Sequence, residues 1–266
     1  MLSRRRPPLR ALGAAALAVI FAVGACTGER PTQADEPDST ASTTTSSSST
    51  TTTTTEAPEP AARVAQAKAP RIAVFATATD PTPTQEIVAG VDTSADTIPI
   101  VFLVTESGDP EAERIHVHLP VRPNGSTGFV NRGEVDLIDM PYRVEVGLTE
   151  HRIRVYRDEE VIVDEPVGVG RSDRPTPGGT YYIKELLQPP DPTGPYGTYA
   201  YGLSGFSNVL QSFNGGTGVI GIHGTNEPGA IGTDVSSGCI RLHNDVIERL
   251  VEEIGLPLGT PVEIQA

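Results

Sequence analysis

Arg114-Ile115-His116-Val117-His118-Leu119 alternates polar and apolar side chains without a break, the period of a strand that buries one face. This makes the chain mainly β, and its neighbours agree. Upstream, Ile72-Ala73-Val74-Phe75 and Pro99-Ile100-Val101-Phe102-Leu103-Val104 read as strands. Downstream, so do Arg143 to Val146, His151 to Arg157, Val161 to Val169, Thr180 to Ile183 and Val262-Glu263-Ile264. With no Trp, 27 Gly and 24 Pro, turns and short strands are favoured over long helices. One helix is expected, Asp245 to Ile254, with Asp245 and Glu248 as its cap, an apolar stripe of Val246, Ile247, Leu250, Val251 and Ile254, and Gly255 as its stop. His116 and His118 share one strand face, but no Cys or acid stands at ligand spacing. They are read as solvent-side residues, and no metal or cofactor is expected. His151 falls at a hairpin turn and His243 at the helix start, both read as exposed or partly exposed.

The chain begins differently. Residues 1–25 carry Arg4, Arg5, Arg6 and Arg10 and no acid, followed by the apolar run Ala11 to Val23, the pattern of an export signal. Val23-Gly24-Ala25-Cys26 resembles a bacterial lipoprotein processing site, which implies lipidation of Cys26. From Thr27 to about Ala62 nearly every residue is Ser, Thr, Pro, Glu or Asp. Such a segment cannot bury enough apolar surface to offset its ordering entropy. Its ~35 residues could span about 30 Å as a coil and about 100 Å when extended, and the tether as a whole is expected over residues 26–69. Folded sequence is expected from Pro70.

Twenty basic residues stand against 34 acidic ones. Without the four leader arginines the balance is 16 against 34, a net charge of about −18. A surface of that sign repels phosphates and excludes nucleic acid as a natural partner.

The chemistry-bearing residues lie late in the chain. Ile222-His223-Gly224-Thr225 is followed by Ser236-Ser237-Gly238-Cys239-Ile240-Arg241, which places the only thiol outside the N-terminal region sixteen residues past an imidazole. At its ordinary pKa of about 8.5 a thiol is only a few per cent thiolate at neutral pH, so a cysteine nucleophile needs a base or a positive field. His223 can supply the first and Arg241 some of the second. The glycines leave backbone bare beside each partner, and amides near Gly238 and Cys239 could hold an oxyanion. The competing reading is a Cys and a His that merely fill and satisfy a core.

Ile222-His223-Gly224-Thr225, Ser236 to Leu242 and Asn244 together resemble the signature of the L,D-transpeptidase family, the YkuD-type catalytic domain. Thr176-Pro177-Gly178-Gly179-Thr180-Tyr181 and Pro195-Tyr196-Gly197 extend the resemblance over about Tyr142 to Ala266. It implies a β-rich catalytic domain at 141–266 with one C-terminal helix, and a two-step acyl transfer on peptidoglycan stem peptides. Cys239 would be the nucleophile, His223 the general base and acid, and the Gly224 carbonyl the group orienting His223. Gly238, Ser236, Ser237, Arg241 and Thr225 would bind the oxyanion and substrate, with Arg241 on the donor carboxylate. Where many members carry His before Gly-Cys, this chain has Ser237, leaving His223 as sole base. A tetrapeptide donor, a diamino-acid acceptor and carbapenem-type inhibitors are the implied partners. Leu119 to Val130 resembles the end of the Src-homology-3-like barrels that precede many wall-active domains, which would make 70–140 a small β module; an immunoglobulin-like module is the rival. Gln188 to Tyr196, with four prolines, reads as a surface loop at the lip of the site.

The expected protein is thus an exported enzyme, lipid-anchored outside the cytoplasmic membrane, that forms 3-3 cross-links. The same site would serve an L,D-carboxypeptidase if water resolved the thioester, or a protein-anchoring transpeptidase if a protein amine did. A non-catalytic wall-binding lipoprotein is the alternative outside enzymes. A NlpC-type peptidase would place Cys before His, the opposite order to this chain.

Overall fold

The computed structural model describes residues 62–90, 97–212 and 216–266. The leader at 1–25, Cys26 and the tether up to residue 61 lie outside the described residues. Folded structure begins before Pro70: Ala62–Ala67 is a strand, so the stretch at 62–69 read as tether is structural. Its small and polar residues concealed it.

Seven strands form the first part of the fold: β1 (Ala62–Ala67), β2 (Arg71–Val74), β3 (Gln85–Val88), β4 (Val101–Leu103), β5 (Arg114–His118), β6 (Thr127–Asn131) and β7 (Val135–Met140). β1 lies between β4 and β7 in an antiparallel sheet, while β2 with β3 and β5 with β6 are hairpins. The Phe75–Phe129 and Val104–Val117 bridges tie these sheets together. Successive side chains of a strand point to opposite faces, and here the two faces meet two cores. Ala65 and Phe102 pack with Ile72, Ile115, Val117 and Val130 inside the module. Val64, Val101 and Leu103 pack with Tyr181, Tyr182 and Val262 beyond it. The β4-β1-β7 sheet is therefore a shared wall.

The second part contains β8 (Tyr142–Gly147), β9 (Arg152–Arg157), β10 (Glu160–Pro166), β11 (Val169–Gly170), β12 (Gly179–Leu187), β13 (Ala200–Phe206), β14 (Val219–His223), β15 (Asp234–Ser236), β16 (Ile240–Arg241) and β17 (Pro261–Gln265). Eight of these form one mixed sheet in the order β10-β9-β8-β17-β12-β13-β14-β16, with the β8–β17 and β14–β16 pairs parallel. The mainly β class is as expected, and so is a single helical segment near the C-terminus. Its details differ. α1 (Asn244–Glu248) continues as a π-helical stretch, Arg249–Ile254, and Gly255 ends it at φ 67°. The N-cap is His243, whose carbonyl accepts the Val246 and Ile247 N–H groups. Asp245, expected as the cap, lies exposed in the first turn, where its charge still faces the positive end of the helix.

His116 and His118 are half-buried rather than solvent-side. His116 stacks on Phe129 and its Nδ1 lies 3.0 Å from the Thr105 hydroxyl. His118 faces a cleft of about 860 Å³ that Arg63, Glu106 and Glu263 also line. Among the described residues no group of three His, Cys, Asp or Glu could hold a metal ion. His151 is only partly exposed and pairs with Asp234 at 2.8 Å, fastening the β8–β9 turn to β15.

Candidate active site

The parallel pairing of β14 with β16 matches Ile222 to Ile240 and His223 to Arg241. Residues two apart share a strand face, so Cys239, one step before β16, presents its side chain on the face that carries His223 and Arg241. All three line one narrow cavity of about 80 Å³. Pro195 and Tyr196 bound it on one side, so the end of the proline-rich loop is a lip of the site. Leu210, Gly218 and Val219 bound it as well. The wider cleft at His118 holds no thiol. Chemistry singles out the smaller cavity.

His223 is only 4% exposed, and its Nδ1 lies 2.6 Å from the Gly224 carbonyl oxygen. A carbonyl can only accept, so Nδ1 carries the proton and donates it, and the Nε2 lone pair is left free for another group. The Tyr196 ring meets the imidazole edge-on, with 4.9 Å between centroids, and limits its rotation. Asn244 fixes the backbone that holds the ring. Its Oδ1 accepts the Thr225 N–H at 2.8 Å and lies so close to Gly197 and Gly224 that a Cβ on either would approach within 2.3 Å and 2.2 Å. Gly197 also has φ +66°, a region that favours glycine.

Cys239 is half-buried, and its thiol is free among the described residues. Burial pushes its thiol above the ordinary range, against smaller opposing effects of a hydrogen bond with the Gly221 backbone and of the Arg241 charge. Burial likewise pushes His223 down to about 4; the bond to Gly224 opposes this, and the Arg241 charge adds to it. Both shifts favour the uncharged forms. The resting pair is a neutral thiol beside a neutral imidazole.

Three expected substrate contacts are otherwise employed. The Ser236 hydroxyl is buried, donates to the Cys239 carbonyl at 2.6 Å and accepts the Gly238 N–H at 3.0 Å. It shapes the turn that presents the thiol, and it occupies the Gly238 amide expected at the oxyanion. The Cys239 amide is the remaining candidate of that pair. Thr225 is 3% exposed, and its hydroxyl accepts the Glu227 N–H, which makes it a brace of the loop after His223. Ser236 and Ser237 both line the cavity, and the Ser237 hydroxyl takes a hydrogen bond from Arg174 at 3.3 Å. Arg174, just before the Pro175-Thr176-Pro177 turn, carried no sequence signal. Arg241 reaches the cavity with its Nη1 on Glu227 at 2.7 Å, while its buried Nε has no hydrogen-bond partner among the described residues.

The depressed imidazole has a consequence for stability. Unfolded His protonates near 6.5 and folded His223 only near 4, so between these values the unfolded chain binds the extra proton. Stability is therefore full above about 6.5 and falls as pH drops toward 4, by roughly 3 kcal/mol from this group. Urea midpoints at pH 7, 5.5 and 4 should show a smaller loss in His223→Gln than in the unmodified chain.

The description of the YkuD L,D-transpeptidase catalytic domain matches residues 141–264. The protein named as the L,D-transpeptidase YkuD in Bacillus licheniformis is 34% identical over 153 residues, which cover 55% of this chain and 83% of the relative. The protein of the same name in Bacillus subtilis is 37% identical over 132 residues, 50% of this chain and 71% of the relative. Among solved structures, the catalytic domain of an E. faecium L,D-transpeptidase aligns at 22% identity and a TM-score of 0.33, covering 47% of this chain and 96% of that one.

Proposed function

This chain belongs to the L,D-transpeptidase family, and from that premise we propose that it forms 3-3 cross-links between peptidoglycan stem peptides through a thioester on Cys239. The observation that carries the reading is the shared cavity of Cys239 and His223, with the imidazole Nδ1–H committed to Gly224.

The chemistry follows from the two neutral partners. As the sulfur attacks the carbonyl carbon of the amide before the terminal D-Ala, the thiol proton passes to His223 Nε2, and the oxyanion forms against the Cys239 amide. The imidazolium then gives that proton to the departing amine, the C–N bond breaks, and D-Ala leaves. The acceptor amine attacks the thioester and loses its proton to the same imidazole. The new amide forms as the C–S bond breaks, and the imidazolium returns that proton to the departing sulfur, restoring the neutral thiol and imidazole. Concerted transfer avoids a thiolate–imidazolium pair, which burial of both groups penalises.

Arg241 would receive the donor's terminal carboxylate in place of Glu227, whose side chain is 61% exposed and readily displaced. A charge-assisted hydrogen bond of this kind is worth about 1.5–3 kcal/mol. Arg241→Ala should therefore raise the half-saturating concentration of a donor ending in a free carboxylate about 10- to 100-fold. An amidated donor should not show that loss.

Residues 1–25 and Cys26 would place the enzyme outside the cytoplasmic membrane on a lipid anchor, with the Ser/Thr-rich tether carrying the folded part toward the wall. Carbapenem-type β-lactams would acylate the same thiol. The test is incubation of the protein with disaccharide tetrapeptide and mass spectrometry of the products. A cross-linked dimer lacking one D-Ala is expected. Tripeptide alone would mean that water is the acceptor, and unchanged substrate would overturn the proposal.

A further inference from the structure

One wall of the Cys239 cavity is held by the first β module. The turn between β5 and β6 places Arg122 and Asn124 against the chain that follows β13. Arg122 Nη1 donates to the Ser207 carbonyl at 2.8 Å, and its Nη2 to the carbonyls of Leu210 at 3.0 Å and Thr217 at 3.1 Å. The same guanidinium lies over the Phe206 ring, 4.8 Å from its centroid. Asn124 bonds both backbone groups of Phe206. Its Nδ2 donates to the Phe206 carbonyl at 2.8 Å, and its Oδ1 accepts the Phe206 N–H at 2.9 Å.

Three carbonyl oxygens converging on one point repel one another unless a cation stands among them, and the planar guanidinium fork suits that task better than an ammonium. Two of the carbonyls belong to the wall itself: Ser207 and Leu210 line the cavity that holds Cys239 and His223, as does Gly218, the neighbour of Thr217. Ser207 tightens the turn from inside, its N–H donating to Gly218 and its hydroxyl accepting the N–H groups of Val209 and Leu210. Gly218 approaches the Leu210 carbonyl so closely that a Cβ would stand 2.3 Å from it, and its φ is +72°.

Resting on the acyl-transfer reading above, we infer that Arg122 and Asn124 are positioning residues of the active site. The β module sets the width of the donor cleft by fixing the carbonyls of Ser207, Leu210 and Thr217 and the backbone of Phe206. Neither residue reaches the reacting atoms. Their effect falls on how well a donor fits, and only weakly on the chemical step.

The test is acylation of the whole protein by a carbapenem, followed by intact mass over a range of concentrations. Arg122→Ala combined with Asn124→Ala should raise the half-saturating concentration about tenfold and leave the maximal rate within about twofold. Arg122→Lys, with one charge but no fork, should fall between. The comparison variant is Arg132→Ala, which removes hydrogen bonds to Pro110 and Val135 within the same module and away from the cavity. It should lower the melting temperature without moving either constant. An unmodified chain that fails to acylate would sink the acyl-transfer reading instead. Given acylation, the inference is overturned if the double variant keeps its half-saturating concentration, if only its maximal rate falls, or if Arg132→Ala moves the constants equally.

Discussion

Cys239→Ala should form no acyl adduct and turn over donor peptide at least about 10⁴-fold more slowly than the unmodified chain, because loss of a covalent nucleophile leaves only binding and oxyanion stabilisation. The fold should hardly notice. Cys239 is half-buried, outside the main core cluster, and its turn is closed by the Ser236 hydroxyl acting on Gly238 and the Cys239 carbonyl, all of which the substitution retains. A melting temperature within a few degrees of the original, with adduct formation absent by intact mass, is the expected pair of readings. Substantial transpeptidation by this variant would assign the nucleophile elsewhere.

His223→Gln should cost about 10²- to 10⁴-fold at neutral pH, the range of a positioned general base. The pH profile makes the prediction specific. With the imidazole present, the neutral thiol is deprotonated during attack, and the acidic limb should lie near the depressed value of about 4 rather than at 6.5. Without it, the rate depends on thiolate formed by ionisation alone. Burial pushes the Cys239 pKa upward, so the variant's rate should climb through the alkaline range while the unmodified enzyme is level there. Acylation rates from pH 4 to 10 would show it. Parallel profiles for the two proteins would deny His223 the role of base.

The grouping of the candidate site was legible in sequence because its two halves are contiguous strings, each joined to one of two parallel strands. Once Ile222 pairs with Ile240, the thiol, imidazole and guanidinium share a face. The hydroxyls and amides around them were harder to assign. Ser236 and Thr225 are residue types that suit either substrate or their own backbone, and in the fold both hydroxyls bond to local turns. Arg174 and the Arg122–Asn124 brace join residues more than sixty positions apart, beyond any local pattern.

The strands divided along similar lines. β5 alternates because one face of its hairpin meets a core, so its period was plain. β13 reads Ala200-Tyr201-Gly202-Leu203-Ser204-Gly205-Phe206 and is buried on both faces from Tyr201 onward, which erases the alternation. β1 is short and Ala-containing, and its strand character comes from Leu103 and Ile138 on either side of Val64. The helix stripe was right, but its cap was set by the position of His243 at the end of the β16 connection and not by the Asp-x-x-Glu pattern.

The most direct test of the account is to quench the full chain in acid seconds after mixing with disaccharide tetrapeptide, then digest it and map the adduct by mass spectrometry. The account predicts the donor acyl group, short of its terminal D-Ala, on the peptide containing Cys239, labile to hydroxylamine and missing from Cys239→Ala. Turnover with that peptide unmodified, or an adduct on any other residue, Cys26 included, would contradict it.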